Sequence, residues 1–155
     1  MNELIKKIIL LGSGGFVSEI IQYLNDIVSS YEEVKSNCSI EIIGIVDNYN
    51  EDNTLKQIDG INFLGKEEDL KNSEDYYFLI ANGKPKYRKA AYDRLKKNKR
   101  KLYTLIHPTA YLAKNCNIGE GTIICPNTIV NSNTEIGDAS LSLIHISEPT
   151  RLGAI

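Results

Sequence analysis

Between Leu105 and Asp138 an aliphatic residue recurs at every sixth position: Ile106, Leu112, Ile118, Ile124, Val130 and Ile136. Two places before five of them stands a small or β-branched residue, at Ala110, Cys116, Thr122, Thr128 and Thr134. A period of six fits neither the helical repeat nor the alternation of a flat strand. It fits a parallel β-helix of hexapeptide repeats, in which each unit makes one short side of a three-sided coil. The aliphatic side chain then enters the shaft. The small residue sits near a corner, where a larger one would clash. Gly119 and Gly137 directly follow aliphatic positions, where a turning backbone favours a residue without a Cβ.

The preceding residues alternate differently. Lys6 to Leu11 reads as a buried parallel strand, followed by Gly12-Ser13-Gly14-Gly15 and a helix from Phe16 to about Ile27. Strand, glycine turn and helix form a setting for phosphate. Backbone N–H groups and the helix N-terminus favour an anion, and glycines let its oxygens approach. A tight turn without a ligand is the plainer alternative, and Glu19 in the first helical turn needs only the helix dipole. Ile40 to Val46 is a second strand, ending at Asp47-Asn48 on the edge of the sheet where ligands bind. There Asp47 and Asn48 can accept from a ribose or base, or simply form a turn.

A loop then runs to Gly60. Ile61 to Leu64 reads as a short strand and Lys66 to Leu70 as a brief helix. Asp75 to Ala81 is a further strand, closing on Asn82-Gly83-Lys84-Pro85, with Pro85 opening a helix that runs to about Asn98. Ten of the eighteen residues from Lys84 to Lys101 are Lys or Arg. They read mainly as a solvated helix face, with Ala90, Ala91 and Leu95 as the apolar side and Lys84 as a phosphate contact. Leu102 to Leu105 makes the last strand before His107-Pro108. The alternation predicts a small Rossmann-like α/β domain with a parallel sheet over residues 1–105 and coils over 106–140. The sheet is too small for the full dinucleotide fold, and Val17 stands where the third fingerprint glycine would be. A mononucleotide or nucleotide sugar is therefore expected before NAD.

Composition adds exclusions. A net charge of −2 argues against a dedicated nucleic-acid binder. The N-terminal apolar run is too short for a membrane span or signal peptide. Cys38, Cys116 and Cys125 lack metal-type spacing, so reduced thiols and a cytoplasmic protein are expected.

The joint pattern resembles the bacterial acetyltransferases that modify nucleotide-linked amino sugars or sialic acid. The residues that carry it are Leu11 to Phe16 with Glu19, Ile45 to Asn48, Gly83 to Arg88, and Leu105 to Pro108. The resemblance implies a left-handed β-helix that binds acetyl-CoA along its coils, and a homotrimer with active sites between neighbours. It implies that the first domain holds a UDP- or CMP-linked sugar, with Gly12, Ser13, Gly14, Gly15, Phe16, Asp47, Asn48, Gly83 and Lys84 as contacts. It also implies a histidine base on a later coil, taking a proton from the attacking amine or hydroxyl.

After Asp138 the repeat breaks, because the next aliphatic slot is Ser142. Leu141 to Arg151, LSLIHISEPTR, is the literal translation of a string that looks like a transposon-type sequencing-library adapter. We expect residues 141–155 to be non-native, so that His145 is no candidate base, and we read His107 as structural. Residues 107–138 would then make fewer than two coils, leaving Ile124, Val130 and Ile136 at an open end and the chain poorly stable or aggregation-prone. Without a base, the chain as written would be a non-catalytic nucleotide-sugar-binding module.

Overall fold

The computed structural model describes residues 4–33, 38–52, 54–71 and 73–143. The α/β part runs β1 (Leu4–Leu11), α1 (Phe16–Glu33), β2 (Cys38–Val46), the short pair β3 (Gln57–Ile58) and β4 (Ile61–Asn62), β5 (Tyr77–Ile80), α2 (Pro85–Lys97) and β6 (Lys101–Leu102). Its four-stranded parallel sheet has the order β2-β1-β5-β6. The residues of β1 alternate between the two faces. Ile8 and Leu10 pack under Val17, Ile20 and Leu24 of α1, while Ile9 and Leu11 pack with Ala91 and Leu95 of α2. Over Ile8 to Leu11 both faces are apolar because both are covered, while Leu4 and Ile5 at the start of the strand are exposed.

Several boundaries differ from the sequence reading. Helix α1 continues to Glu33, and Tyr31 still packs on the core. Asp59 and Gly60 adopt φ of +47° and +81°, turning β3 back onto β4 as a hairpin that the loop reading missed. Phe63 only bridges to Ile45, and Glu67–Asp69 is a single 3-10 turn. Ser73–Asp75 is another such turn, so β5 starts at Tyr77 rather than Asp75. The expected strand at Leu102–Leu105 is split. Leu102 ends the sheet, and Leu105 begins the coil.

The coil runs through β7 (Leu105–Ile106), β8 (Tyr111–Leu112), β9 (Asn117–Ile118), β10 (Ile123–Ile124), β11 (Ile129–Val130), β12 (Glu135–Ile136) and β13 (Leu141–Ser142). The parallel stacks β7-β10-β13, β8-β11 and β9-β12 make its three sides. Two turns are complete and a third begins. The backbone thus continues past the break in the pattern, with Ser142 buried in the slot an aliphatic residue fills elsewhere. Residues 144–155, including His145, lie outside the described residues.

Ile124, Val130 and Ile136 are not exposed, contrary to expectation: they are at most 3% accessible. They pack on Leu112 and Ile118 of the first turn, while β13 pairs beside β10 above. The exposed interior is at the other end, where Ile106 is 38% accessible. Corners are turned by Asn115, Gly121, Asn127, Asn133 and Ala139, each with φ between +52° and +69° and each six residues from the next. Asn and Gly tolerate this left-handed region best. Gly119 is required for space instead, since a Cβ there would lie 2.4 Å from the Asp138 nitrogen.

Candidate functional site

The strand order turns back at β1, with β2 on one side and β5 on the other. Loops leaving the carboxyl ends of such strands part to either face of the sheet and open a crevice, the usual ligand position in an open α/β sheet. Here Ser13, Gly14, Gly15 and Phe16 line a cleft of about 500 Å³ together with Asp47, Gly83 and Lys84. Gly12 and Asn48 line a smaller pocket that shares Asp47, Tyr49, Asn82 and Tyr87 with it. The nine predicted residues therefore converge on one region, though not in equal roles.

Gly12 is a packing requirement. Its φ is +122°, and a Cβ would meet the Ala81 carbonyl oxygen at 2.9 Å. Gly14 and Gly15 have open space where a Cβ would go. The N–H groups of Gly14, Gly15 and Phe16 donate to no acceptor among the described residues, whereas Val17 N–H donates to Gly14 O at 3.1 Å. Donors left bare at the start of an 18-residue helix suit an anion. Val17 is fully buried, so its side chain fills the space that a dinucleotide fingerprint leaves to a third glycine.

Asp47 is a brace before it is a ligand. Its Oδ2 accepts from Ser13 N–H at 2.9 Å and Ser13 Oγ at 2.6 Å, and its Oδ1 accepts from Tyr49 N–H at 2.9 Å. One lone pair on Oδ1 is left for a ligand. Asn48 Oδ1 caps the 3-10 turn, accepting from Glu67 N–H at 2.8 Å, which leaves its amide donors. Asn82 Oδ1 accepts from Lys84 N–H at 2.9 Å, fixing the second glycine loop and leaving its amide donors available. Lys84 is exposed at the start of α2, with its Nζ 5.8 Å from the Tyr87 ring centre. The sequence reading missed Tyr49, Asn50, Glu51, Asn82 and Tyr87, which complete the lining. The proximity of Tyr49 to Asp47 and of Tyr87 to Lys84 was the available signal.

The basic run corrects one expectation. Arg88 is 3% exposed, on the side of α2 that was read as apolar, while Ala90 is exposed. Arg88 Nε donates to Ala139 O (2.8 Å), Nη1 to Ile80 O (2.7 Å) and Asn82 O (3.1 Å), and Nη2 to Gly121 O and Ser140 O (both 3.1 Å). Burial pulls its pKa down to about 10, and the carbonyl dipoles take the place of a carboxylate. All of its donors are used, so it welds the end of β5 to the coil and offers none to a ligand. Tyr92 Oη donates to Asp138 at 2.6 Å, and Lys96 pairs with Glu120, closing the same seam.

His107 sits at the other seam, 5% exposed. Its Nδ1 accepts from Thr109 N–H at 3.1 Å, so the proton is on Nε2, which donates to Asp26 at 3.0 Å. Both ring nitrogens are thus committed to protein partners. Asp26 is the carboxylate partner that the sequence did not reveal. Nearby, burial raises the Tyr23 phenol to about 12 and the Cys125 thiol to about 11, so neither is a nucleophile at neutral pH. No metal-binding cluster occurs among the described residues, and no described helix is long and apolar enough to cross a membrane.

Residues 7–95 match the family model of the PglD N-terminal domain. The chain belongs to this family. Among solved structures, the acetyltransferase domain of PglB from Neisseria gonorrhoeae is similar at 19% identity and a TM-score of 0.65, covering 88% of this chain and 61% of that one. The same domain with acetyl coenzyme A gives 19%, 0.64, 88% and 60%. A histidine-to-asparagine variant of perosamine N-acetyltransferase from Caulobacter crescentus, in complex with CoA and GDP-perosamine, gives 18%, 0.65, 87% and 59%. No curated protein sequence matches significantly. The likeness establishes the fold: a PglD-type α/β domain leading into a β-helix, as in the bacterial sugar acetyltransferases. The chain spans about three fifths of the length of these structures.

Proposed function

We propose that the PglD-type domain of this chain binds a nucleotide-activated amino sugar or sialic acid, and that the protein works as an acetyl-CoA-dependent acetyltransferase in the cytoplasm. The observation that carries this is the cleft. Bare amides of Gly14, Gly15 and Phe16 line it together with Lys84 and Asp47, in a domain that leads into a coil of the acetyltransferase type. The amides and Lys84 suit a diphosphate, and the remaining lone pair of Asp47 suits a ribose hydroxyl or a base N–H. A UDP- or CMP-linked sugar is the expectation from the sequence, and GDP-perosamine is the ligand of a similar structure.

Acetyl-CoA would lie along the coils, with the chain assembled as a trimer. In that reaction the sugar amine or hydroxyl attacks the thioester carbonyl, a base removes its proton and the CoA thiolate leaves. Among the described residues no imidazole is free for that step, because His107 donates to Asp26 and accepts from Thr109. Taken alone, the described residues favour a second reading, a non-catalytic nucleotide-sugar-binding module. The boundary between native chain and adapter-like tail at Ser140 belongs to the same reading.

Calorimetric titration of the chain with UDP-, CMP- and GDP-linked amino sugars tests the binding claim, and CoA release from acetyl-CoA with the same sugars tests transfer. Binding without CoA release supports the module. Absence of binding by every nucleotide would sink both readings.

A further inference from the structure

The rim of the cleft carries two tyrosines that the core does not need. Tyr49 is 62% exposed and Tyr87 40%, and both line the cleft. They come from separate elements, Tyr49 from the loop after β2 and Tyr87 from the first turn of α2. Their rings meet edge to face, with centroids 5.6 Å apart at 63°, an arrangement that aromatic pairs prefer. Tyr49 is also held from behind. Its N–H donates to Asp47 Oδ1, and the other oxygen of that carboxylate holds Ser13 in the glycine turn. One carboxylate therefore sets both the bare amides and the tyrosine. Tyr87 already receives Lys84 near its ring, at 5.8 Å. Tyr49 is left as the most exposed aromatic surface on the cleft.

We propose that Tyr49 is the platform on which the nucleobase of the bound nucleotide stacks, with Tyr87 as the buttress that fixes its ring. The proposal rests on the nucleotide reading above and assigns the base end of that ligand to the outer rim. Base–aromatic stacking tolerates any base, because each presents a π-face. Stacking on Tyr49 therefore supplies affinity, and the choice among bases falls to neighbouring acceptors such as Asp47 and Glu51.

The test titrates the full chain with UDP, GDP, CMP, ribose 5-phosphate and pyrophosphate. The chain has no tryptophan, so tyrosine emission gives a second readout. At least one nucleotide should bind more tightly than the two probes without a base and should quench tyrosine emission. Tyr49→Ala should weaken that nucleotide by roughly ten- to a hundred-fold, abolish the quenching and leave pyrophosphate binding unchanged. Tyr49→Phe should bind as the parent does, and Tyr87→Ala should lose about three- to ten-fold. Unchanged nucleotide binding by Tyr49→Ala overturns the proposal, as does a parallel loss of pyrophosphate. Pyrophosphate binding that no base improves overturns the platform but leaves the phosphate cradle standing. Failure of every ligand to bind the parent chain contradicts the platform and the nucleotide reading together.

Discussion

The two halves of the molecule hold themselves together differently. The α/β domain is supported from within: over Ile8 to Leu11 both faces of β1 are buried, under α1 on one side and α2 on the other. Among the described residues the coil has an interior cluster of three buried aliphatic side chains, Ile124, Val130 and Ile136. The rest of its support comes from the side. Leu105, Ile123 and Cys125 face outward into the core of the first domain, and Arg88, Tyr92 and Asp26 bind it along both helices. A short repeat array lacks the stacked neighbours that normally bury its shaft. Docking substitutes for them here, so the coil should depend on the seam more than the sheet does.

The largest test of that contrast is Arg88→Met. It removes five donors from buried carbonyls and should cost about 3–5 kcal/mol, lowering Tm by roughly 10 °C. Arg88→Lys should recover less than half, because an ammonium lacks the planar fork. Hydrogen exchange should show protection lost first in residues 105–142. Equal loss in β1 would break the contrast. Next, Ile124→Ala should cost about 2–4 kcal/mol by leaving a cavity in the shaft. Its denaturant transition should separate coil from sheet, whereas Leu10→Ala should shift one joint transition.

Smaller effects sharpen the picture. Asn127→Ala should cost about 1 kcal/mol at its φ of +58°, with Asn127→Gly close to neutral by thermal melting. Asp26 contributes least, because its side chain is 41% exposed. Its hydrogen bond from His107, and then that from Gln22, lower its pKa. Such a carboxylate adds stability above its ordinary pKa near 4, and the gain fades as pH falls through the depressed value. The parent should therefore exceed Asp26→Asn by less than about 1 kcal/mol at pH 7, with the gap closing below pH 4. A gap that widened in acid would contradict this.

What the sequence revealed depended on whether a residue acts locally. The six-residue period marks the shaft because each aliphatic residue occupies an equivalent slot one side further on. The same period runs through the left-handed corners at Asn115, Gly121, Asn127 and Asn133, whereas Gly119 is fixed by space and not by φ. The glycine turn was readable because backbone donors and the absence of Cβ atoms are local properties. Arg88 was not, since nothing in a run of ten basic residues marks the one that is buried. The Asp26–His107 pair spans 81 residues and has no local signature. The cap that Asn48 places on Glu67, 19 residues away, likewise has no local signature.

The most direct test of the central claim compares hydrogen exchange of the full chain with and without saturating UDP, CMP or GDP. The account predicts that at least one nucleotide protects the amides of residues 13–17, 47–51 and 82–87 while residues 105–142 stay unchanged. Protection confined to the coil, or none anywhere with any of the three, would contradict it.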